Sequence, residues 1–315
     1  MIVTSTLPAL PTQASKPVVP RGVLGPPAHL APLAVGTQSL SAARACSISG
    51  DAVEFAVARM SSSPACFHVR GLLSEAECDH IVASADTTGM VQATTNGGDG
   101  RHNCGVAWLP VERSGRSVPC QTAASIAWWC EQIFLTPEVQ APESWAAGGG
   151  SFESMQVLKY QAGGEFKPHL DASSLFTGHG YAGQGDTHRV LTVLLYLNGV
   201  GGTWFPLATT DGSDAGAYAA GGDDAAAAPG DEPPSSQLAA LTAEYNLLME
   251  AIAAARSRVP GRDGLLASPS KGDAVAFYNY VDDGTGDLDR TALHAGLPAP
   301  SERSVGTLWY SLRFE

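Results

Sequence analysis

Long apolar runs, an excess of positive charge and closely paired cysteines are all missing from this sequence of 315 residues. No apolar stretch reaches the roughly 18 residues that a membrane-spanning helix needs, so we expect a soluble globule with no membrane span. The 18 Lys and Arg residues stand against 31 Asp and Glu residues and leave a formal net charge of −13. Because phosphate backbones would repel such a chain, we do not expect nucleic acid as a partner.

The six cysteines all lie between Cys46 and Cys130, and none of them forms a Cys-x-x-Cys pair. This distribution favours neither a zinc site nor a disulfide-dense framework. We expect buried thiols, and the even number of cysteines leaves disulfides open.

Acidic residues are also absent from the first 50 residues, which are rich in Pro, Ala, Ser and Thr. Such a composition buries too little apolar area to fold, so we predict a disordered tail over residues 1–51. The segment lacks the apolar core of a secretory signal. Its basic, hydroxyl-containing composition is compatible with an organellar transit segment and equally with an untargeted tail, so the compartment stays open.

Two helices are predicted in the region 52–150, which we interpret as a helical and β support for the rest of the chain. Ser74 followed by Glu77 forms a capping-box pattern, and an apolar stripe comes after it. A second apolar stripe runs over residues 118–135 and ends before Pro137.

The chemistry of the sequence centres on the stretch from Tyr160 to Asp171. An apolar strand that begins at Met155 leads into it, and a Gly163-Gly164 turn is predicted within it. His169 and Asp171 are two residues apart, which places both on one face of a strand. His294, which follows a later apolar strand, offers a third ligand. Two imidazoles and one carboxylate form the open set of ligands typical of non-haem Fe(II) oxygenases, although zinc or manganese could occupy the same ligands.

Several further motifs occur in one fixed order along the chain. The sequence thereby resembles the prolyl 4-hydroxylase family of 2-oxoglutarate- and Fe(II)-dependent dioxygenases, over about residues 67–309. The motifs that carry the resemblance are Tyr160, Gly163-Gly164, His169-x-Asp171, Tyr196-Leu197-Asn198, Gly201-Gly202 before Phe205-Pro206, Lys271-Gly272-Asp273-Ala274 and Leu293-His294-x-Gly296.

The resemblance implies an α+β, mainly β fold. Its catalytic core over residues 151–315 would be a double-stranded β-helix, or jelly roll, braced by the N-terminal helices. It also implies Fe(II), 2-oxoglutarate as co-substrate, ascorbate as reductant, and a proline-containing peptide or protein as substrate. Oxygenation of a free amino acid or small molecule, and a catalytically silent partner-binding module, remain the alternatives.

The same resemblance implies roles for individual residues. His169, Asp171 and His294 would be the catalytic metal ligands, and Arg303 with Tyr160 would bind 2-oxoglutarate, since a planar guanidinium can clamp a carboxylate with two hydrogen bonds. The substrate-binding positions would be Glu153, Arg189, Trp309 and Arg101.

Three positions depart from the family pattern. Arg303 stands where Lys is more usual, and Phe166 stands where Tyr is common. The Gly201-Gly202 turn is one residue short and lacks its usual acidic residue.

An acidic segment rich in Ala and Gly interrupts the core over residues 207–266. We predict that it is an insertion, most of which cannot order itself. Within it an apolar stripe predicts an amphipathic helix over residues 236–256. This helix either packs on its own domain or contacts a partner or a second copy.

Overall fold

The computed structural model describes residues 24–36, 39–93, 101–111, 120–136, 150–172, 187–209, 246, 248–282 and 286–313. Among these residues the fold is mainly β, and every strand pairing is antiparallel. The strands are β1 (Ser39–Ala45), β2 (Ala52–Ser61), β3 (Cys66–Arg70), β4 (Val91–Gln92), β5 (Arg101–Leu109), β6 (Gly150–Phe152), β7 (Met155–His169), β8 (Thr187–Tyr196), β9 (Thr203–Phe205), β10 (Leu265–Ala267), β11 (Ala274–Tyr278), β12 (His294–Gly296) and β13 (Arg303–Arg313).

The sheet brings together strands that are far apart in sequence. Its order is β1-β2-β3-β11-β8-β13-β7-β12-β9-β10, with β5 also on β7, β4 on β5, and β6 on β13. Strand β13 is buried from Arg303 to Leu312, and the first part of β7, residues 155–160, is buried except at Lys159, as expected for strands covered on both faces of a sheet. Residues of these two long strands, β7 and β13, line the candidate site.

Two helices of 14 residues brace the sheet, as predicted. Helix α1 (Glu75–Thr88) begins with the Ser74–Glu77 capping box, in which both reciprocal hydrogen bonds are present. Helix α2 (Gln121–Phe134) buries Ile126 and Phe134 in the main apolar cluster, where Phe134 packs against Phe67 of β3 with ring centroids 6.3 Å apart. The support helices therefore lie within the same core as the sheet.

The predicted disordered tail is wrong for the part of residues 1–51 that the structure describes. Strand β1 lies in this range and pairs along its length with β2. The Arg44 guanidinium donates to both carboxylate oxygens of Glu77 and also to the Leu72 carbonyl, and both side chains of this ion pair are fully buried. Composition could not reveal this order, because it does not show the pairing of β1 with β2 or the contacts of Arg44 with Leu72 and Glu77.

The Gly163-Gly164 pair does not form a turn that separates two strands. It lies inside β7, where residues 161–164 bulge, since Cys104 of β5 pairs with Tyr160 while His102 pairs with Glu165. Gly163 adopts φ 75°, a value that favours glycine, and its amide donates to the Ala299 carbonyl. The bulge keeps β7 continuous up to His169.

The insertion ends earlier than predicted, because Leu265 and Leu266 belong to β10 and pair with β9. Residues 210–245, which make up most of the acidic segment, lie outside the described residues. Within the predicted helix, residues 248–255 are helical and are named α3 here. Its apolar side packs on its own domain, against Leu170, Leu207 and Leu293.

The six cysteines are all buried free thiols, as expected. In the part of the chain that the structure describes, no helix is long and apolar enough to cross a membrane.

Candidate metal centre

The three predicted ligands meet at one point of the sheet. His169 ends β7, His294 begins β12, and the two residues are direct partners across these strands. Asp171 lies two residues beyond the end of β7, with Oδ1 3.5 Å from His169 Nε2 and Oδ2 3.6 Å from His294 Nε2. The three ligand atoms all lie within 4.8 Å of one another. Antiparallel pairing thus brings together residues that are 125 positions apart in sequence.

Hydrogen bonds fix which nitrogen of each imidazole faces the centre. His169 Nδ1 lies 2.8 Å from the Lys167 carbonyl, and His294 Nδ1 lies 3.0 Å from the Ala292 carbonyl. A carbonyl only accepts hydrogen bonds, so each Nδ1 carries the proton and each Nε2 presents a lone pair toward Asp171. This is the tautomer in which two histidines can bind a metal ion together.

Two polar residues behind Asp171 were missed by the sequence analysis. Thr192 Oγ1 on β8 donates to Asp171 Oδ2 at 2.9 Å, and Asn279 Nδ2 donates to Thr192 Oγ1 at 3.0 Å. Both side chains are buried, and each is a polar residue in an apolar stretch of sequence, which is the signal that could have singled them out. The chain of hydrogen bonds holds the carboxylate in one orientation.

Burial controls the protonation of the cluster. Burial lowers the pKa of His294 to about 4, so its imidazole is neutral at neutral pH and available as a ligand. Burial raises the pKa of Asp171, but in the absence of a metal its interactions with His294 and His169, when these rings carry a proton on Nε2, outweigh that effect and hold its pKa well below the ordinary value. One carboxylate and two neutral imidazoles fit a divalent metal ion, including Fe(II).

Aromatic rings surround the two imidazoles. Phe166 stacks on His169 with ring centroids 3.6 Å apart. The rings of Phe277 and Phe205 lie 4.8 Å and 5.6 Å from His294. An apolar shell of this kind limits access of water and strengthens the electrostatic interactions of a bound ion.

Arg303 and Tyr160 line the same pocket as the three ligands. They are partners across β13 and β7, and the Arg303 guanidinium carbon lies 4.5 Å from the centroid of the Tyr160 ring. Arg303 Nη1 donates to the carbonyls of Gly202 and Leu297 at 3.2 Å, whereas its buried Nε has no hydrogen-bond partner among the described residues. A preoriented cation with an unused donor is suited to an anionic group.

Gly296 explains how the guanidinium reaches this position. A Cβ on this residue would lie 2.5 Å from Arg303 Nη2. The glycine of the Leu-His-x-Gly motif is therefore required by the close approach of Arg303 to the backbone of β12.

Three of the four predicted substrate residues form one cluster. Arg189 makes two hydrogen bonds of 2.7 Å to the Glu153 carboxylate, and Ser311 donates to the same carboxylate at 2.8 Å. The Arg189 guanidinium carbon lies 3.7 Å from the centroid of the Trp309 ring, and Trp309 lines the pocket. For Arg101, the backbone lies opposite Phe166 across β5 and β7, and the side chain lies outside the described residues.

Helix α3 packs directly behind the metal ligands. Its residues Ala251 and Ala255 are buried in a cluster with Leu293 and Leu170, the chain neighbours of His294 and His169. Glu250 and Arg290 add an ion pair of 3.2 Å beside this contact. The helix thus supports the two strand ends that carry the histidines.

We expect Ala251→Asp to weaken metal binding by roughly tenfold or more, because an unpaired carboxylate between α3 and these strand ends would displace the histidines. Ala253 lies on the exposed side of the same helix, so Ala253→Asp is a matched control that should bind metal like the wild type. Titration of each purified variant with Co(II), followed by absorbance, measures the affinity. Equal affinities of the two variants would show that α3 only covers the sheet.

Comparisons with known proteins agree with this geometry. A family model for the 2OG-Fe(II) oxygenase superfamily matches residues 155–311. Probable prolyl 4-hydroxylase 3 of Arabidopsis thaliana is 26% identical over 248 residues, which are 76% of this chain and 66% of that protein. Prolyl 4-hydroxylase 13 of the same plant is 28% identical over 162 residues, 50% of this chain and 42% of that protein.

Among solved structures, the viral collagen prolyl hydroxylase of Paramecium Bursaria Chlorella virus-1, in its 2OG complex, is 19% identical with a TM-score of 0.43, and the match covers 78% of this chain and 96% of that one. The match to the first plant relative spans about two thirds of its length. The family model and the curated relatives agree with the resemblance that the ordered motifs indicate. Residues 155–311 of this chain belong to the 2OG-Fe(II) oxygenase superfamily, and the curated relatives that the chain matches are plant prolyl 4-hydroxylases.

Proposed function

We propose that this chain is an Fe(II)- and 2-oxoglutarate-dependent dioxygenase that hydroxylates peptidyl proline. The observation that carries the proposal is the convergence of His169, Asp171 and His294, within 4.8 Å, in the pocket that Arg303 also lines. A metal site alone would suit many reactions. A buried guanidinium in the same pocket favours a co-substrate that carries a carboxylate.

The three ligands would hold Fe(II) on one side, leaving other coordination positions open for ligands from the pocket. When bound, Fe(II) supplies the dioxygen chemistry that couples decarboxylation of 2-oxoglutarate to succinate with hydroxylation of a substrate carbon, and ascorbate would keep the metal reduced. Thr192 orients the Asp171 carboxylate throughout. The Phe166 ring packs on the His169 imidazole and the Phe277 ring on the His294 imidazole, which holds both ligands in place.

Arg303 would bind the distal carboxylate of 2-oxoglutarate, with Tyr160 beside it. The hydrogen bonds of Arg303 to two backbone carbonyls fix the guanidinium before the co-substrate arrives, which lowers the entropy cost of binding. The stacked Tyr160 ring covers one face of the guanidinium.

Glu153, Arg189 and Trp309 would line the substrate groove, with Arg101 as the fourth residue. The ion pair between Glu153 and Arg189 holds both side chains in place, so Trp309 with its stacked guanidinium presents the contact surface. We also propose that the strands form the jelly-roll arrangement of the family, which is supported by β12 bridging β7 and β9.

One assay separates this function from its two alternatives. Purified protein is incubated with Fe(II), 2-oxoglutarate, ascorbate and a panel of proline-rich peptides, and succinate and peptide mass are measured. A gain of one oxygen on proline together with succinate supports the proposal. Succinate formation stimulated only by free amino acids or small molecules indicates a small-molecule oxygenase, whereas no succinate from the metal-loaded protein indicates a silent binding module.

A further inference from the structure

A single turn of 3-10 helix, Arg290–Ala292, ends two residues before the metal ligand His294. The Ala292 carbonyl accepts a hydrogen bond from His294 Nδ1 at 3.0 Å, so the position of this carbonyl sets both the tautomer and the direction of the imidazole ring. A turn of three residues makes too few hydrogen bonds of its own to keep a fixed position. Contacts from outside the turn must therefore hold the Ala292 carbonyl in place.

The buried carboxylate of Asp289 caps this turn. Asp289 Oδ1 accepts hydrogen bonds from the Thr291 amide, at 2.9 Å, and from the Thr291 hydroxyl. The Asp289 carbonyl accepts from the Ala292 amide at 2.9 Å, so one residue holds two successive amide groups of the turn. Ser63, on the segment after β2, has its Oγ 2.9 Å from Thr291 Oγ1 and 3.4 Å from Asp289 Oδ2. Asp289 therefore fixes the backbone that carries the Ala292 carbonyl.

The supports of two metal ligands meet at Asn279, the residue after β11. The Asn279 carbonyl accepts from the Asp289 amide at 2.9 Å. The Asn279 side chain donates to Thr192, which in turn donates to Asp171. Asn279 is only 2% exposed. The turn before His294 and the group that orients Asp171 are thus attached to one buried residue, which fixes the position of each ligand relative to the other.

The surroundings of Asp289 suit positioning better than stabilisation of the fold. Burial raises the pKa of the Asp289 carboxyl group, and the hydrogen bonds from Thr291 and Ser63 offset this effect only in part. An ionised carboxylate at this position therefore lowers the free energy of unfolding compared with a neutral group that makes the same hydrogen bonds.

Asp273, in the turn before β11, is a carboxylate with the opposite balance. It is 8% exposed, as is Asp289. Burial raises the pKa of Asp273, but hydrogen bonds with His68, Gly71 and Ser270 outweigh that effect and hold its pKa below the ordinary value. The Asp273 carboxylate thus stabilises the fold at neutral pH, and its side-chain hydrogen bonds lead to β3 and to its own turn rather than to a metal ligand.

We propose that Asp289 is a positioning residue for the metal centre, which holds the Ala292 carbonyl against His294 Nδ1 and thereby aims Nε2 of the same ring at the metal. The inference rests on the metal ligands of the proposed function and adds a residue that touches neither metal nor substrate. It applies whichever substrate is hydroxylated.

Titration of the full chain with Co(II) tests this role, because the absorbance gives the affinity and the shape of the visible spectrum reports the geometry of the ligands. We expect Asp289→Ala to weaken Co(II) binding by roughly tenfold and to change the spectrum, since removing a group that orients a ligand costs about 10–100-fold in affinity. Asp289→Asn keeps an oxygen for the Thr291 amide and removes the buried charge. It should restore most of the affinity and melt no lower than the wild type.

Asp273→Ala is the matched control, because it removes an equally buried carboxylate from another turn. It should lower the melting temperature at least as much as Asp289→Ala does, while its Co(II) affinity and spectrum stay those of the wild type. Wild-type affinity in Asp289→Ala overturns the inference, and so does an equal loss of affinity in both variants. If Asp289→Ala does not fold, Thr291→Val removes one donor to the carboxylate, and an unchanged Co(II) affinity in that variant has the same meaning.

Failure of this inference is distinguishable from failure of the proposed function. If Co(II) affinity falls in Asp289→Ala but the wild type hydroxylates no peptide, the positioning role stands and the proposed reaction is refuted. If the wild type hydroxylates a peptide and Asp289→Ala binds Co(II) unchanged, the reaction stands and the positioning role is refuted.

Discussion

Replacing any one of His169, Asp171 or His294 with Ala will abolish succinate formation and weaken metal binding by more than about a hundredfold. Loss of a residue that merely orients a ligand costs about 10–100-fold in affinity or activity, and loss of the ligand itself costs more. The effect should be similar for the three variants, because the ligand atoms all lie within 4.8 Å and the set is complete only when all three are present. Calorimetric titration with Fe(II) under anaerobic conditions measures the affinity.

The fold should survive these substitutions. The main apolar cluster contains none of the three side chains, so each variant should show a thermal transition close to that of the wild type. His80→Ala is a suitable control, since His80 is exposed on α1. Near-wild-type succinate production by two of the three ligand variants would refute the metal assignment.

The ligand set was predictable from sequence because part of it is local. His169 and Asp171 are two residues apart, and this spacing alone predicts that both face one point. His294 could be matched to them only through its motif, since its pairing with His169 depends on the order of strands in the sheet. The capping box at Ser74 was predicted for the same local reason.

The supporting contacts of the site were not predictable. The hydrogen bonds from Asn279 to Thr192 and from Thr192 to Asp171 join the residue after β11, a residue on β8 and the segment that follows β7. No pattern within a single strand indicates which buried polar groups will meet. The order of β1 was missed for a similar reason, because composition does not show that Arg44 of this strand meets Glu77 of α1 in a buried ion pair.

The insertion illustrates a third case. Its apolar stripe predicted a helix, and residues 248–255 are helical. The spacing of apolar residues predicts which side of a helix is apolar, but it does not predict which part of the protein packs against that side. The contact of α3 with Leu170 and Leu293 is therefore visible only in the structure, where it makes this helix a support of the metal centre.

Arg303→Ala will raise the KM for 2-oxoglutarate at least about a hundredfold. If the guanidinium pairs with the distal carboxylate in this buried part of the pocket, its removal leaves that carboxylate without a partner, at a cost on the order of 3–5 kcal/mol. Each 1.4 kcal/mol corresponds to about a factor of ten in affinity. The KM for the peptide should change far less, because Trp309 and its substrate cluster lie six residues further along β13.

The Arg303→Lys variant distinguishes the effect of the positive charge from the effect of the guanidinium geometry. An ammonium keeps the positive charge but presents it as a single point, so it cannot reproduce both the hydrogen bonds to Gly202 and Leu297 and a two-point contact with a carboxylate. We therefore expect an intermediate KM for 2-oxoglutarate, between the wild type and Arg303→Ala. Arg262→Ala, at a side chain that is 72% exposed, should leave the KM unchanged.

Measuring metal binding distinguishes loss of the side chain that binds 2-oxoglutarate from damage to the metal centre. Arg303 is not a ligand, so Arg303→Ala should bind Fe(II) with wild-type affinity while its 2-oxoglutarate dependence shifts. An unchanged KM for 2-oxoglutarate in this variant would mean that another cation binds the co-substrate. Arg189 is a poor substitute, because Glu153 already neutralises it through two hydrogen bonds of 2.7 Å. The proposed use of 2-oxoglutarate by this pocket therefore depends on Arg303.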